Sequence, residues 1–328
     1  MDQINHLESR YAPEPITTEI IAFGSCNYSD HPQTMWDEIL KNKPDLWVWM
    51  GDNIYGDSED PYVLIKKYNR LLRSKSYQNF LVNCPVIGTW DDHDYGKNDG
   101  GKDYPSKEIS KKLLLDFLNV EKSNPVYEHE GVYQKYDFNS GDHMVRIVLL
   151  DTRYFRDILE PDPKGEERYA QNLSGTILGE EQWNWLGEQL NDSPADVHII
   201  VSSIQVLAEE HIFEKWSNFP EEKKRFLKLI NDSKAKNPII LSGDRHMAEL
   251  SMIKLKNGIE LVDVTSSGLT HCWPMLFPEE NNYRQRGVIA DLNFGLLKFD
   301  WEQSVLKVEL RGIDNKLHFD YDILLNQH

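Results

Sequence analysis

Cysteine is scarce in this sequence. Three residues, Cys26, Cys84 and Cys272, are spread over 328 positions. They are too few for a framework of disulfides, and at least one thiol has no partner. A free cysteine is usually a small buried hydrophobic residue, and Cys84, inside the apolar run LVNCPVI, is expected to be one. The chain must therefore build its core from packing alone.

Long apolar runs and an excess of basic residues are also absent. No segment approaches the roughly 20 apolar residues that span a bilayer. The first twenty residues, MDQINHLESRYAPEPITTEI, do not follow the basic-then-apolar layout of a secretory signal. The net charge of -18 argues against a general surface for nucleic acids or anionic membranes. The protein is therefore expected either to stay in the cytoplasm or to have lost a signal segment before Met1.

Short hydrophobic runs alternate with amphipathic stretches over the first three quarters of the chain. Continuous hydrophobicity indicates strands that are covered on both faces. The runs occupy residues 19–27, 45–55, 85–94, 144–153, 197–205 and 238–246, and the amphipathic stretches occupy 34–42, 62–81, 106–118, 178–190 and 221–230. Strands that alternate with helices predict an α/β fold.

The pattern changes after about residue 258. Four strand-like segments, 259–269, 293–303, 304–313 and 316–325, follow one another with no long helical stretch between them. We expect them to be antiparallel strands that close a sheet of the same domain. No Pro/Gly/Ser-rich linker interrupts the chain, so residues 1–18 are predicted to be an N-terminal extension and residues 19–328 a single domain.

Four of the predicted strands end on side chains that can bind metals. In open α/β sheets, ligands bind outside the carboxyl ends of the strands, so these side chains are expected to meet. Only cations could hold so many carboxylates together, which predicts a polynuclear metal site. The side chains are Cys26, Asp52 with Tyr55, the group Asp91, Asp92, His93 and Asp94, and Asp244 with His246.

The motifs around these residues resemble those of a known enzyme superfamily. GDNIY (51–55), DDHD (91–94) and GDRH (243–246) are similar to ordered blocks of the metallophosphoesterases. GSC, GDxxY, WDDHD, LDxR, LGxxQ and SGDxH, in this order, resemble the alkaline phosphatase D (PhoD-like) family. The resemblance covers roughly residues 20–275.

The resemblance implies a fold, an activity and cofactors. The fold would be a four-layer α-β-β-α sandwich with mixed sheets. The activity would be metal-dependent hydrolysis of small phosphomonoesters or phosphodiesters by metal-activated hydroxide, with Fe3+ and Ca2+ as the metals. A periplasmic or secreted location would follow by the same resemblance if a signal segment had been removed before Met1.

The resemblance also implies which residues bind each metal. Asp52 would bridge two ions, and Cys26, Tyr55 and His246 would complete a site for a transition metal, since thiolate favours softer ions. Asp92 and Asp244 stand where the superfamily has a neutral Asn and His, and carboxylates there favour a hard cation. Asp91 is either a ligand of a third ion or a partner of the ligands.

Catalytic roles are expected for residues beside the ligands. His93 matches the histidine that protonates the leaving group, and Asp94 would orient it and raise its pKa. Arg153 and Arg245 could bind phosphate oxygens through bidentate donors or neutralise the ligand carboxylates, and both alternatives stand.

Two further positions carry weaker hypotheses, and two other functions remain open. Gln205 stands near the place of another superfamily histidine ligand, and His271 is a candidate for the pocket wall.

One rival function is a metal-independent acid–base hydrolase with paired carboxylates. The other is a calcium-binding protein that has lost catalysis.

Overall fold

The computed structural model describes residues 4, 18–165, 167–273 and 279–326. Most of the predicted N-terminal extension lies outside these residues. The helices are α1 (Met35–Leu40), α2 (Pro61–Leu72), α3 (Lys75–Asn83), α4 (Asp92–Tyr95), α5 (Lys107–Phe117), α6 (Gly179–Asn191) and α7 (Pro220–Asp232). None of the helices in the described part of the chain combines the length and apolar character that crossing a membrane requires.

The strands form two mixed sheets of six strands each. They are β1 (Ile20–Gly24), β2 (Leu46–Met50), β3 (Val86–Thr89), β4 (Gln134–Ser140), β5 (His143–Leu149), β6 (Val197–Ser202), β7 (Pro238–Ser242), β8 (Ala248–Lys254), β9 (Glu260–Ser266), β10 (Phe294–Asp300), β11 (Val305–Arg311) and β12 (Leu317–Leu324).

Each sheet combines a parallel part with antiparallel strands. The first sheet has the order β12-β11-β10-β1-β2-β3, in which β1, β2 and β3 are parallel and β10 to β12 are antiparallel. The second has the order β4-β5-β6-β7-β9-β8, in which only the edge strands β4 and β8 run antiparallel to their neighbours.

Alternating side chains of each strand face different layers. On β2, Leu46, Val48 and Met50 belong to a core that lies between the sheets, together with residues of β5, β6 and β7. Trp47 and Trp49 point to the opposite face and pack in a second core with α1, α2, α3 and α5. A third core joins α6 and α7 to the outer face of the second sheet. The layers are therefore helix, sheet, sheet and helix, and the predicted α-β-β-α sandwich is confirmed.

Some elements differ from their predictions. The single amphipathic stretch 62–81 forms two helices, because the chain leaves the helix at Arg73 and re-enters after Ser74 in extended conformation. The four C-terminal segments do not close one sheet, since β9 pairs in parallel with β7 in the second sheet and β10 to β12 extend the first. The strands β4 and β8 were not predicted. The assignment of 19–328 to a single domain stays a prediction.

The parallel strands bring the predicted site residues to one edge. Ser25 and Cys26 follow β1, Gly51 and Asp52 follow β2, and Asp244 comes two residues after β7. Since the two sheets pack face to face, this edge collects loops from both of them.

Candidate metal centre and active site

The backbone turns sharply where each predicted ligand leaves its strand. Cys26, Asp52, Asp244 and His246 have φ angles of 61°, 49°, 68° and 54°. Non-glycine residues rarely adopt this left-handed region, and such conformations cost of order 1–3 kcal/mol each. The surrounding structure holds all four of them, which is typical of functional sites.

Two glycines allow the turns to approach one another. A Cβ on Gly51, which has a φ of +96°, would lie 2.5 Å from the Cβ of Asp91. A Cβ on Gly243 would lie 2.6 Å from the hydroxyl oxygen of Ser25 and 3.0 Å from the carbonyl oxygen of Met50. Gly51 therefore allows the loops after β2 and β3 to approach each other, and Gly243 allows the loop after β7 of the second sheet to approach those after β1 and β2 of the first.

The first group of donors is centred on the carboxylate of Asp52. Its Oδ2 lies 3.4 Å from Sγ of Cys26 and 3.3 Å from the hydroxyl oxygen of Tyr55. That hydroxyl oxygen is 3.0 Å from Nε2 of His246. Cys26, Asp52 and His246 each offer one donor atom, and these atoms lie within 4.8 Å of one another. The group combines thiol, phenol, imidazole and carboxylate donors.

The second group consists of carboxylates and shares Asp52 with the first. Asp52, Asp91, Asp92 and Asp244 each offer an oxygen, and these oxygens lie within 4.8 Å of one another. Two of these buried oxygens, Oδ2 of Asp91 and Oδ1 of Asp92, accept no hydrogen bond. Buried carboxylate oxygens are normally satisfied, so their environment fits a bound cation.

The pKa values of the donor groups also fit a bound cation. Burial raises the pKa of Asp52 and of Asp244 well above the usual value, and neighbouring carboxylates add to the shift. Burial and the Asp52 carboxylate likewise raise the pKa of Cys26 and of Tyr55. These groups would keep their protons unless positive charge replaced them. Hence the cluster fits metal binding, since cations would stabilise the deprotonated donors.

Asp92 differs from Asp52 and Asp244, because its pKa is lowered and theirs are raised. Burial opposes its ionisation, but His93 and Arg153 outweigh burial and lower its pKa to about 2. Its Oδ2 also accepts a hydrogen bond of 2.6 Å from the backbone N–H of Asp99. Asp92 is therefore an anionic donor whose other oxygen is free to bind a cation.

Arg153 is buried in a network of ion pairs. Its side chain is fully buried between Asp91 and Glu214. Nε lies 2.6 Å from Oδ1 of Asp91, and NH1 lies 2.5 Å from Oε2 of Glu214. Ser203 also donates to Oδ1 of Asp91, at 2.5 Å. This geometry favours charge neutralisation, because the guanidinium is committed to two carboxylates and closed to solvent. The catalytic assignment of Arg153 stays a prediction.

Arg245 is likewise engaged by the protein. Its guanidinium pairs with Glu279 and lies 4.3 Å from the ring centroid of Phe213. The side chain is 3% exposed. Glu279 is not one of the predicted ligands, so both alternatives from the sequence stay predictions for Arg245.

The partner of His93 is Asp57 and not Asp94. Nδ1 of His93 lies 2.7 Å and 2.9 Å from the two carboxylate oxygens of Asp57. A carboxylate can only accept, so Nδ1 carries the proton. Asp94 is turned the other way and accepts from the backbone N–H of Asn53 and of Asp91, at 3.1 Å and 2.7 Å. The predicted contact between Asp94 and His93 is wrong, because Asp94 closes a capping box at the start of α4.

The electrostatic surroundings of His93 favour its charged form. Burial alone would lower its pKa, but the carboxylates of Asp92, Asp52 and Asp57 outweigh burial and raise the pKa to about 11. Asp57 is the contact that positions the ring, whereas Asp52 and Asp92 belong to the donor groups described above.

The two weaker candidates lie in different surroundings. The ring of His271 contacts those of His246 and Tyr55, with centroid distances of 4.3 Å and 5.2 Å, so it lines the site as expected. Gln205 is buried and donates to Glu249 and Thr265 at 2.7 Å and 2.8 Å. It belongs to none of the donor groups found among the described residues.

Sequence reasoning missed several residues that shape the site. The GD pair at 56–57, directly after GDNIY, was a signal for Asp57. Glu214 and Ser203 had no comparable signal, because neither belongs to a recognised motif. They are identified only by their contacts with Arg153 and Asp91.

The sandwich and its donor cluster define a protein of the metallophosphoesterase-like class. The sequence profile of the PhoD-like phosphatases matches residues 64–271. The chain belongs to the PhoD-like phosphatase family. Cys26, Asp52 and Tyr55 precede the matched region, so their place in the site depends on the geometry described above.

Two relatives illustrate the similarity. Over 267 residues the chain is 24% identical to alkaline phosphatase D of Bacillus subtilis (strain 168). The aligned region covers 69% of this chain and 45% of that protein. The chain therefore spans less than half of that relative's length. A solved structure of PhoD superposes with a TM-score of 0.75 and 17% identity, over 96% of this chain and 70% of that one, which establishes the shared fold.

Proposed function

We propose that this protein is a metal-dependent phosphoester hydrolase that acts on small phosphomonoesters or phosphodiesters. The observation that carries the proposal is the pair of buried donor groups that share Asp52 at the edge of both sheets. Membership of the PhoD-like phosphatase family supports the same reaction class.

The two donor groups suit different ions. Cys26, Tyr55 and His246, with Asp52, would hold the softer site, and a thiolate with a phenolate suits Fe3+ or a related transition metal. Asp91, Asp92 and Asp244, again with Asp52, offer only oxygen atoms, which Ca2+ prefers. We therefore propose Fe3+ and Ca2+ as the cofactors.

When bound, these ions would supply Lewis acidity, which polarises phosphoryl oxygens and lowers the pKa of water. The carboxylates of the chain determine where the ions would be held. Asp52 is fixed by the turn after β2. Arg153 and Ser203 restrain Oδ1 of Asp91, whereas Oδ2 accepts no hydrogen bond and would be the oxygen that binds a cation. Glu214 in turn balances the charge of Arg153.

His93 would deliver the proton to the leaving oxygen. Asp57 accepts from Nδ1, so the second ring nitrogen, Nε2, is the one left to donate. The ring also lies against that of Tyr55, with a centroid distance of 4.0 Å. The Tyr55 ring and the Asp57 carboxylate together fix the orientation of the imidazole, which general acid catalysis requires.

Metal content and turnover test the proposal together. Protein purified without added metal should contain a transition metal and at least one hard divalent ion per chain. It should hydrolyse nitrophenyl phosphate or bis(nitrophenyl) phosphate. A chelator should abolish turnover, and adding the metals back should restore it. Elemental analysis and release of nitrophenolate are the measurements.

Each rival function predicts a different result from these measurements. Full activity with only trace metal would indicate an acid–base hydrolase that uses paired carboxylates. Stoichiometric calcium without turnover of either ester would indicate a binding protein that has lost catalysis. Both outcomes contradict the proposal.

Asp57→Asn tests the positioning of the proton donor. The amide can present a donor to Nδ1, so the imidazole loses its fixed orientation and its stabilised charge. On an alkyl phosphoester we expect kcat/KM to fall roughly tenfold to a hundredfold, below the full 10²–10⁴ range of general acid catalysis. On a nitrophenyl ester the loss should be smaller, because nitrophenolate leaves without a proton.

Asp103→Asn is the matched control for this variant. Asp103 is another exposed carboxylate, paired with Lys97 at 3.3 Å. Its replacement should change kcat/KM on neither ester. An equal loss on both esters, or a loss of metal in Asp57→Asn, would contradict the role assigned to Asp57.

A further inference from the structure

An aromatic rim lies beside the donor cluster. The rim consists of Tyr28, His31, His271 and Trp273. His271 and Trp273 contact the ring of His246 at centroid distances of 4.3 Å and 4.1 Å. Neither the donor groups nor the proton transfer described above uses Trp273.

Trp273 differs from every other tryptophan of the chain. All nine tryptophans lie within the described residues, and Trp273 is the only one in the exposed class, with 47% of its surface accessible. Large aromatic surfaces are normally buried. The exposed indole is in contact with a predicted metal ligand, so it is available to a molecule that binds at the donor cluster.

The segment that carries Trp273 is tied to the metal-site loops. The backbone N–H of Trp273 donates to the carbonyl oxygen of His246 at 3.4 Å. The hydroxyl of Thr270 donates to the carbonyl oxygen of Cys26 at 3.1 Å and accepts from the backbone N–H of Tyr28 at 2.7 Å. The backbone of Trp273 is thus tied to the loop that carries His246, which places the indole beside the donors.

The arrangement of the rings distinguishes between two kinds of ligand. A quaternary ammonium needs several ring faces that converge on one point. Here Tyr28 stacks on both His31 and Tyr55, at 4.8 Å and 4.9 Å with interplanar angles of 27° and 26°, so those faces cover one another. Stacking of a planar ring needs a single accessible face, which Trp273 provides.

We infer that the aromatic rim, chiefly Trp273, binds a planar aromatic group of the substrate, such as a nucleobase, next to the phosphoryl group. The inference rests on the proposed phosphoester hydrolysis at the same site and names its substrate class. The substrates would be nucleotides or nucleoside phosphodiesters rather than phosphoesters of plain alcohols or sugars.

Matched substrate pairs test this inference, because the leaving oxygen is of the same type within each pair: a primary alkoxide of ribose in the first pair and nitrophenolate in the second. Adenosine 5′-monophosphate and ribose 5-phosphate differ in the base, and the nitrophenyl esters of thymidine 5′-phosphate and of ethyl phosphate differ in the nucleoside. The wild-type protein should prefer the nucleoside member by roughly tenfold to a hundredfold in kcat/KM, the range that base–aromatic stacking supplies.

Substitutions then connect the preference to Trp273. Trp273→Ala should reduce the ratio of kcat/KM between the two members of each pair to near one, and Trp273→Phe should retain most of that ratio. Trp185→Ala is the control, because Trp185 is a half-buried indole on α6 that packs against Tyr133 at 4.8 Å, and it should leave the ratio at the wild-type value.

Three results would overturn the inference. They are a wild-type ratio near one, an equal loss of the ratio in Trp185→Ala, and a preference for nitrophenyl phosphocholine that disappears in Trp273→Ala. If neither pair is turned over at all, the proposed function fails. Equilibrium binding of adenosine 5′-monophosphate and ribose 5-phosphate then decides the inference by itself, and equal affinities would overturn it.

Discussion

Asp52→Asn is expected to empty both metal groups at once and to lower kcat/KM by roughly 10³-fold or more, the scale that follows loss of a residue that serves a whole catalytic unit. The reason is geometric, since the Asp52 carboxylate belongs to every group of donors found in the described residues. An amide keeps the shape of the side chain but loses the charge and one acceptor oxygen. Elemental analysis and steady-state kinetics are the measurements.

The control is a second buried aspartate that belongs to no donor group. Asp263 on β9 is 1% exposed and accepts from Ser242 at 2.7 Å and from the backbone N–H of Val206 at 2.9 Å. Asp263→Asn should keep its full metal content, because this carboxylate serves only protein donors. If Asp52→Asn lost one ion and fully retained the other, the shared role of Asp52 would be wrong.

His93→Ala is expected to separate substrates by their leaving groups. An alkoxide needs a proton to depart, whereas nitrophenolate does not. The variant should therefore lose roughly 10²–10⁴-fold in kcat/KM on an alkyl phosphoester, the usual contribution of a general acid, and clearly less on a nitrophenyl ester. The metal content should stay near the wild-type value.

A surface histidine provides the comparison for His93. His143 is paired with Asp196, with 3.4 Å between Nδ1 and Oδ2, and its side chain is 43% exposed. His143→Ala should behave as wild type on both esters. Equal losses on the two esters in His93→Ala, together with loss of a metal, would make His93 a ligand. His93 does form a possible donor group with Asp52 and Asp92, so the metal measurement is decisive.

The sequence predicted the parts of the fold that are encoded locally. The strand runs that precede Cys26, Asp52 and Asp244 are continuous in hydrophobicity because both sheets are covered on both faces. That pattern, with the polar residue directly after it, was enough to predict which side chains share the active edge. The partition of the C-terminal strands between two sheets depends on long-range pairing, such as that of β9 with β7, and no local pattern encodes it.

Side-chain partners within the site were less predictable. Asp94 follows His93 directly, yet residues adjacent in a helix point in different directions, and its carboxylate turns back to the backbone N–H of Asp91. Asp57 reaches the imidazole only because the loop after β2 folds back, with the N–H of Asp57 3.3 Å from the carbonyl oxygen of His93. Glu214 comes from a distant loop, so the neutralisation of Arg153 required the three-dimensional structure.

The left-handed residues at the strand ends affect how the donor cluster can tolerate changes in the rest of the chain. Cys26, Asp52 and Asp244 leave their strands through turns of one or two residues, so sheet pairing determines the position of each donor and the length of the following loop does not. A change of length in a connecting segment that contacts none of these turns is therefore not transmitted directly to the donor atoms. One residue inserted between Gly24 and Cys26 would rotate the thiol away from Asp52. Under the proposed function, substrate range would change through the loops while the metal donors are inherited with the sheets.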